Sequence, residues 1–297
     1  MSEAQRKHLA VIRRRDRRIL RIISVAGSAF LLLIVALAAY IIIKGLMSWF
    51  PGVLAFRQDG IGNQLFNTFY LVLLSLLISA LFGIPAGIYL ALYAGRSRAV
   101  VILRMCIEAL SSLPSIVVGL FGYLVFVIWT GMGWSLLAGA LTLTILSIPL
   151  IATTTEDALR SLPGSYLEGS MALGSTKWYA VHKVLLPAAF PRIMTGIILA
   201  AGRAFGEATA LMYTAGMSTV INWKNMNLLS PTSPWNPIRP GETLALHIWT
   251  MRTEAINPKS TEIANFSAAI LVIAVLIFSI LARVITRRYE SKNRGKK

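Results

Sequence analysis

Long apolar runs, broken by short polar connections, set the pattern of this chain. The runs 22–43, 65–93, 107–130, 134–151, 193–215 and 263–285 each approach or exceed the roughly 20 residues that a helix needs to cross hydrocarbon. The pattern therefore predicts an all-α polytopic membrane protein with six transmembrane helices. The same boundaries divide the chain into a basic tail (1–21), a first span with an outer loop (22–64), a core (65–285) and a second basic tail (286–297). Within the core lie a cytoplasmic loop (153–191) and an outer loop (217–262).

Composition agrees: 56% of the 297 residues are hydrophobic and 14% charged, with a mean hydropathy of +0.68. The net charge of +17 would point to nucleic acid in a soluble protein. Here the cations crowd the ends of apolar runs without the interleaved aromatics that stack on bases. Their distribution sets topology instead. Of the 29 Lys and Arg residues, 22 fall on the side of the N-terminus and six on the opposite side, which predicts that both termini are cytoplasmic. The N-terminal run continues through "AYIII" past "ALA" (36–38), so it reads as an uncleaved span rather than a signal peptide.

Little points to chemistry of the catalytic kind. The lone Cys106 has no disulfide partner and reads as packing. His8, His182 and His247 show no metal-ligand spacing, so no metal site is inferred. No G-x-x-x-x-G-K-[ST] loop occurs, so no nucleotide or other cofactor is assigned to this chain and any ATP must be bound elsewhere.

Polar residues inside the runs carry more information. Arg203 is the one basic residue deep within a predicted span, in "GRAFGEATAL" (202–211), and it lies eight residues past Thr195, roughly 12 Å of helix rise. An anion crossing a low-dielectric barrier needs such a cation, whose insertion alone costs about 2.5 to 3.5 kcal/mol. Glu207, four residues on, is placed to offset that charge. Two readings stay open: a substrate-pathway pair, or an ion pair that only fixes packing. Glu108 reads as a surface partner of Arg104. The spacings "GIPAG" (83–87) and "GRAFG" (202–206) read as close helix packing, and Pro85 and Pro114 as kinks within spans. In the outer loop, "TLALHIW" (243–249) predicts a short helix at the membrane surface.

The connection 153–191 is too patterned for a linker. Pro163 and Gly164 mark a turn, Ser165 and Glu168 fit a capping box, and Gly174 supplies a left-handed stop two turns later. The product is a short helix carrying Tyr166, Leu167, Met171 and Leu173, suited to a groove on a partner or to packing on the chain's own helix ends.

"EGSMALGSTKWYAVHKVLLP" (168–187) resembles the EAA loop of the membrane subunits of bacterial ABC importers: Glu168, Gly174, Leu186 and Pro187 fall on the pattern, with Val184, Gly169 and Ser170 as variants. The resemblance implies a type I ABC importer permease fold whose cytoplasmic coupling helix docks onto a separate ATPase. It would place Glu168, Gly174, Tyr166, Met171 and Leu173 at that contact. "SLPSIVVGLFGYLVF" (112–126), "TEDALRSLPGSYLEGSMALGSTKW" (155–178) and "GRAFGEATAL" further resemble the permeases of the phosphate-specific importer. Of its two permease types, the modest outer loop and "GETLALHIW" (241–249) look more like PstA than PstC. One departure stands at Thr153, where family members often carry an arginine.

That family implies a bacterial inner-membrane assembly with a PstC-like second permease, two PstB-like ATPases that bind ATP and Mg, a PstS-like external binding protein, and phosphate as the ion. Permeases for another anion, such as phosphonate or molybdate, share the motif. A stand-alone secondary carrier would favour inverted repeats, which the sequence lacks, and a non-transporting scaffold would need no polar residues in the fifth span.

Overall fold

A computed structural model of the chain describes residues 3–57, 60–95, 98–218, 220–254 and 258–294. Side chains of residues 3–15, 17, 18 and 292–294 are outside that description. Most side chains of the basic tail 1–21 thus lie outside the description, as does Arg96 of the connection after the second span. Every described element is helical: α1 (Glu3–Met47), α2 (Gly62–Ile88), α3 (Arg98–Ser112), α4 (Ser115–Gly122), α5 (Leu136–Arg160), α6 (Ser165–Ala172), α7 (Lys177–Ala180), α8 (Leu186–Gly206), α9 (Thr209–Thr214), α10 (Leu244–Thr253) and α11 (Ser260–Arg294). Wider π turns follow α2 (Tyr89–Tyr93), α4 (Tyr123–Trp129) and α7 (Val181–Leu185).

Five of these stretches are long and apolar enough to cross a membrane, and a sixth arises if the bent pair α3 and α4 counts as one. That pair corrects the third expected span. A straight helix over 107–130 does not exist, because the chain turns by 101° between Ser112 and Ser115. Pro114 is extended (φ −59°, ψ 136°) and excludes Leu113 from helical geometry, so the run breaks instead of kinking. α3 then packs only along its inner edge, with Val100 and Ile107 its buried residues. Cys106, expected within packing, is exposed on it. Pro85, by contrast, is carried inside α2, which continues to Ile88.

The inner bundle is α2, α5 and α8, closed by α4 and α9. Leu71, Leu143, Leu146, Ile151, Phe205 and Leu211 form its apolar centre. Lipid is as apolar as these side chains, so close approach and internal hydrogen bonds hold the helices. A β-carbon on Gly87 would stand 2.5 Å from the Ala152 carbonyl, and one on Gly83 2.9 Å from Ile151, which realises the packing expected of "GIPAG". The parallel expectation for "GRAFG" fails. Among the described residues nothing lies within 4 Å of a β-carbon built on Gly202 or Gly206. Thr144 reaches across from α5 to the Ser75 carbonyl of α2 at 3.3 Å. α1 packs along α11, where Gly45 abuts Asn265 and Ala269.

α10 exists where a surface helix was expected, but it is part of the bundle. Leu244, Leu246 and His247 are buried, and the Leu244 amide donates to Thr68 Oγ1 of α2 at 2.8 Å. Polar partners inside the protein draw it in. Glu242 Oε2 meets His247 Nδ1 at 2.8 Å and accepts from Gln64 Nε2 at 3.2 Å. Beside them Arg239, 1% exposed, donates from Nη2 to Asn67 Oδ1 at 2.6 Å and to the Pro234 carbonyl at 3.2 Å. Burial lowers the Arg239 pKa to about 10, which still leaves it charged near neutrality.

Candidate transport pathway and coupling site

α8 carries Arg203 in its last turn, and the helix stops three residues later. Glu207 is extended (φ −79°, ψ 114°), which turns it away from the i+4 position of a continuous helix. Its Oε1 instead accepts from the Ala210 amide at 3.2 Å, satisfying a free donor at the start of α9. The expected Arg203–Glu207 ion pair is therefore absent: among the described residues no carboxylate lies within 4.0 Å of the Arg203 guanidinium. The fifth span is a broken helix, a form that membrane proteins use where backbone lines a cavity. Arg203 is exposed along with Thr195 and Leu199, on one face of α8 that the described residues leave open. A lone guanidinium with that exposure is free to meet an anion.

The expected coupling helix forms as α6, with a different start. Gly164 already has helical angles (φ −57°, ψ −27°), so Ser165 is the first residue inside the helix and makes no side-chain cap. The capping box of Ser165 and Glu168 is thus not realised, because the Pro163–Gly164 turn itself supplies the first helical carbonyls: Gly164 O accepts from Leu167 N at 3.0 Å and Glu168 N at 3.1 Å. The stop is as expected. Gly174 has φ +84°, a conformation that a side chain strains, and its amide donates to the Met171 carbonyl at 2.9 Å. Beyond it the Ser170 and Ser175 hydroxyls meet at 2.7 Å and pin the turn.

The apolar load of α6 divides in two. Leu167 packs on the chain's own Val181, Leu185 and Ile193 cluster. Leu173 is 91% exposed, and Met171 and Tyr166 are also exposed. Those three side chains are uncovered, as is Trp178 nearby.

A cluster that the sequence did not single out ties this region to α2. The π turn Tyr89–Tyr93 ends a helix whose last carbonyls carry partial negative charge, and three cations converge on them. Arg160 Nη2 donates to the Leu90 carbonyl at 3.2 Å and Arg104 Nη2 to the same oxygen at 3.5 Å. Lys177, just past α6, donates to the Leu92 carbonyl at 2.5 Å and lies 4.5 Å from the centre of the Tyr93 ring. Glu156 holds both arginines, at 2.5 Å from Arg104 and 2.9 Å from Arg160. Arg104 was expected to pair with Glu108; the bend after Ser112 brings α3 back along α5 and gives it the buried Glu156 instead. Only the i,i+4 spacing of Glu156 and Arg160 was visible in the sequence. Thr153, Arg104, Glu156 and Arg160 line one small cleft.

Residues 83–295 match the family model described as binding-protein-dependent transport system inner membrane component. The chain is 45% identical over 258 residues to the probable ABC transporter permease protein YqgI of Bacillus subtilis, covering 84% of this chain and 88% of that one. It is 38% identical over 222 residues to the phosphate transport system permease protein PstA 2 of Mycobacterium tuberculosis, covering 74% and 69%. It is 33% identical over 239 residues to the phosphate transport system permease protein PstA of Xylella fastidiosa, covering 80% and 78%. In fold, it aligns with a chain of the inward-facing MetNI methionine ABC transporter with a TM-score of 0.60 at 20% identity, covering 77% of this chain and 95% of that one.

Proposed function

The chain belongs to the binding-protein-dependent inner-membrane component family, the permeases of ABC importers, and from that premise we propose that the ion it moves into the cytoplasm is inorganic phosphate. The observation that carries this reading is the set of PstA relatives, 33 to 38% identical over most of the chain. Physical support comes from Arg203. Phosphate carries one to two negative charges near neutrality, and a planar guanidinium matches two of its oxygens at once.

In this reading Arg203 is the contact cation of the pathway. Glu207 takes the role of fixing the break beside it, since its carboxylate caps α9 and leaves the arginine unpaired. The uncovered face of α8 is where a PstC-like second permease would close the path. Tyr166, Met171 and Leu173 dock into a PstB-like ATPase, two copies of which hold ATP and Mg, with Glu168 and Gly174 setting the ends of the coupling helix. A PstS-like binding protein delivers the ion from the opposite side, and both termini are cytoplasmic, as the charge bias favours. Lys177 and Arg160 give the coupling region a direct grip on the end of α2, so a push on α6 reaches the inner bundle.

Reconstitution tests the ion. The chain assembled with its permease and ATPase partners in vesicles, with ATP on the ATPase side and the external binding protein supplied, is expected to take up radiolabelled phosphate. ATP-driven uptake of molybdate or a phosphonate, with none of phosphate, would reassign the substrate.

A further inference from the structure

At the end of the bundle that carries α6, an open cleft of about 350 Å³ lies between α8 and α11. Arg192 and Thr195 line it from α8, and Arg283, Thr286, Arg287 and Glu290 from α11. Its charge is one-sided, with three guanidinium groups against a single carboxylate. Among the described residues none of the three lies within 4.0 Å of a carboxylate, Glu290 included.

Such a cluster is unfavourable when empty. Arg283 and Arg287 stand four residues apart, so they share a helix face where like charges repel. The cleft is also built rather than incidental: the Phe190 and Tyr289 rings meet at 4.5 Å and hold the two helices together at this level. Thr286 is buried, with its hydroxyl donating to the Ala282 carbonyl.

We propose that this cleft binds a phosphate oxyanion through Arg192, Arg283 and Arg287. Several forked guanidinium groups around one small space suit a tetrahedral anion with more than one charged oxygen. Two sources present that chemistry here. Arg192, Thr195, Leu199 and Arg203 lie along one exposed face of α8, with Arg192 eleven residues from Arg203, about 16 Å of rise. An ion leaving Arg203 would meet the cleft next on its way inward. The headgroups of anionic phospholipids lie at the same level of the inner leaflet. The first source rests on the phosphate reading above; the second does not.

The test uses the assembled transporter in nanodiscs of phosphatidylcholine, with or without phosphatidylglycerol, in the absence of ATP and of the external binding protein. Equilibrium binding of radiolabelled inorganic phosphate is measured in one arm, and phosphatidylglycerol retained on the complex, by native mass spectrometry, in the other. The wild-type complex is expected to bind in at least one arm. Arg283→Gln with Arg287→Gln should weaken that binding about tenfold or more, and Arg283→Lys with Arg287→Lys should restore part of it. The arm that responds identifies the source. Equal binding by the wild-type and Gln complexes in both arms, with each variant assembling normally, would overturn the site. Normal ATP-driven phosphate uptake alongside that result would leave the substrate reading intact, whereas arginine-dependent lipid retention without any phosphate uptake would do the reverse.

Discussion

Glu156 is 8% exposed and accepts from two guanidinium groups, while Arg203 is exposed and, among the described residues, faces no carboxylate. Fixed charge that has been neutralised serves packing; charge left unpaired on an open face is available to a ligand. Glu156 belongs to the first kind, since hydrogen bonds to charged groups contribute roughly 1.5 to 3 kcal/mol each when they replace water. For Arg203 the expected outcome of Arg203→Gln is loss of phosphate uptake with the complex still assembled. Arg203→Lys should not restore full uptake, because an ammonium offers a point charge in place of a fork. The absence of an Arg203–Glu207 contact sharpens the control. Arg203→Gln combined with Glu207→Gln leaves an amide oxygen to cap α9, so the helix break survives, and near-normal uptake by that double variant in matched membranes would remove Arg203 from the pathway.

The turn after α6 is decided at the scale of the element. Gly174 occupies φ +84° with nothing within 4 Å of where a β-carbon would stand, so a substitution meets backbone strain and no steric clash. That strain is about 1 to 2 kcal/mol for an L-residue, small against global stability yet enough to re-aim Leu173 next to it. Gly174→Asp is therefore expected to leave the bundle folded while reducing both ATPase co-purification and phosphate uptake; wild-type levels of both would refute the coupling role of α6. The legible part of this element was its end and its apolar side chains. Its start was misread because Ser165 and Glu168 fit a capping pattern that the preceding Pro163–Gly164 turn made unnecessary.

For the molecule as a whole, the division of labour follows from what the helices leave bare. The α8 face with Arg203, the α6 tip and the cleft beside α11 are all uncovered in the single chain, so transport belongs to an assembly. Alone, the purified chain is expected to turn over no ATP, as its sequence has no glycine-rich phosphate cradle. Specific ATP hydrolysis by the isolated chain would contradict that assignment of roles.

The sequence by itself determined the helical class, four of the spans as continuous helices, the Gly83 and Gly87 contact and the left-handed stop at Gly174. Each of these depends on local conformational preference or on the length of an apolar run, which neighbours in the chain specify. Tertiary structure alone decided the inward placement of α10, the exposure of Cys106 and the pairing of Arg104 with Glu156 instead of Glu108, and it set at 101° a turn that Pro114 starts locally. It also decided that Glu207 caps α9 rather than holding Arg203. For the polar groups the physical reason is shared: each takes the best partner that folding brings near, and Glu156 is 52 residues from Arg104 while Thr68 is 176 from the Leu244 amide it receives. Separations of that size leave no periodicity in the chain to read.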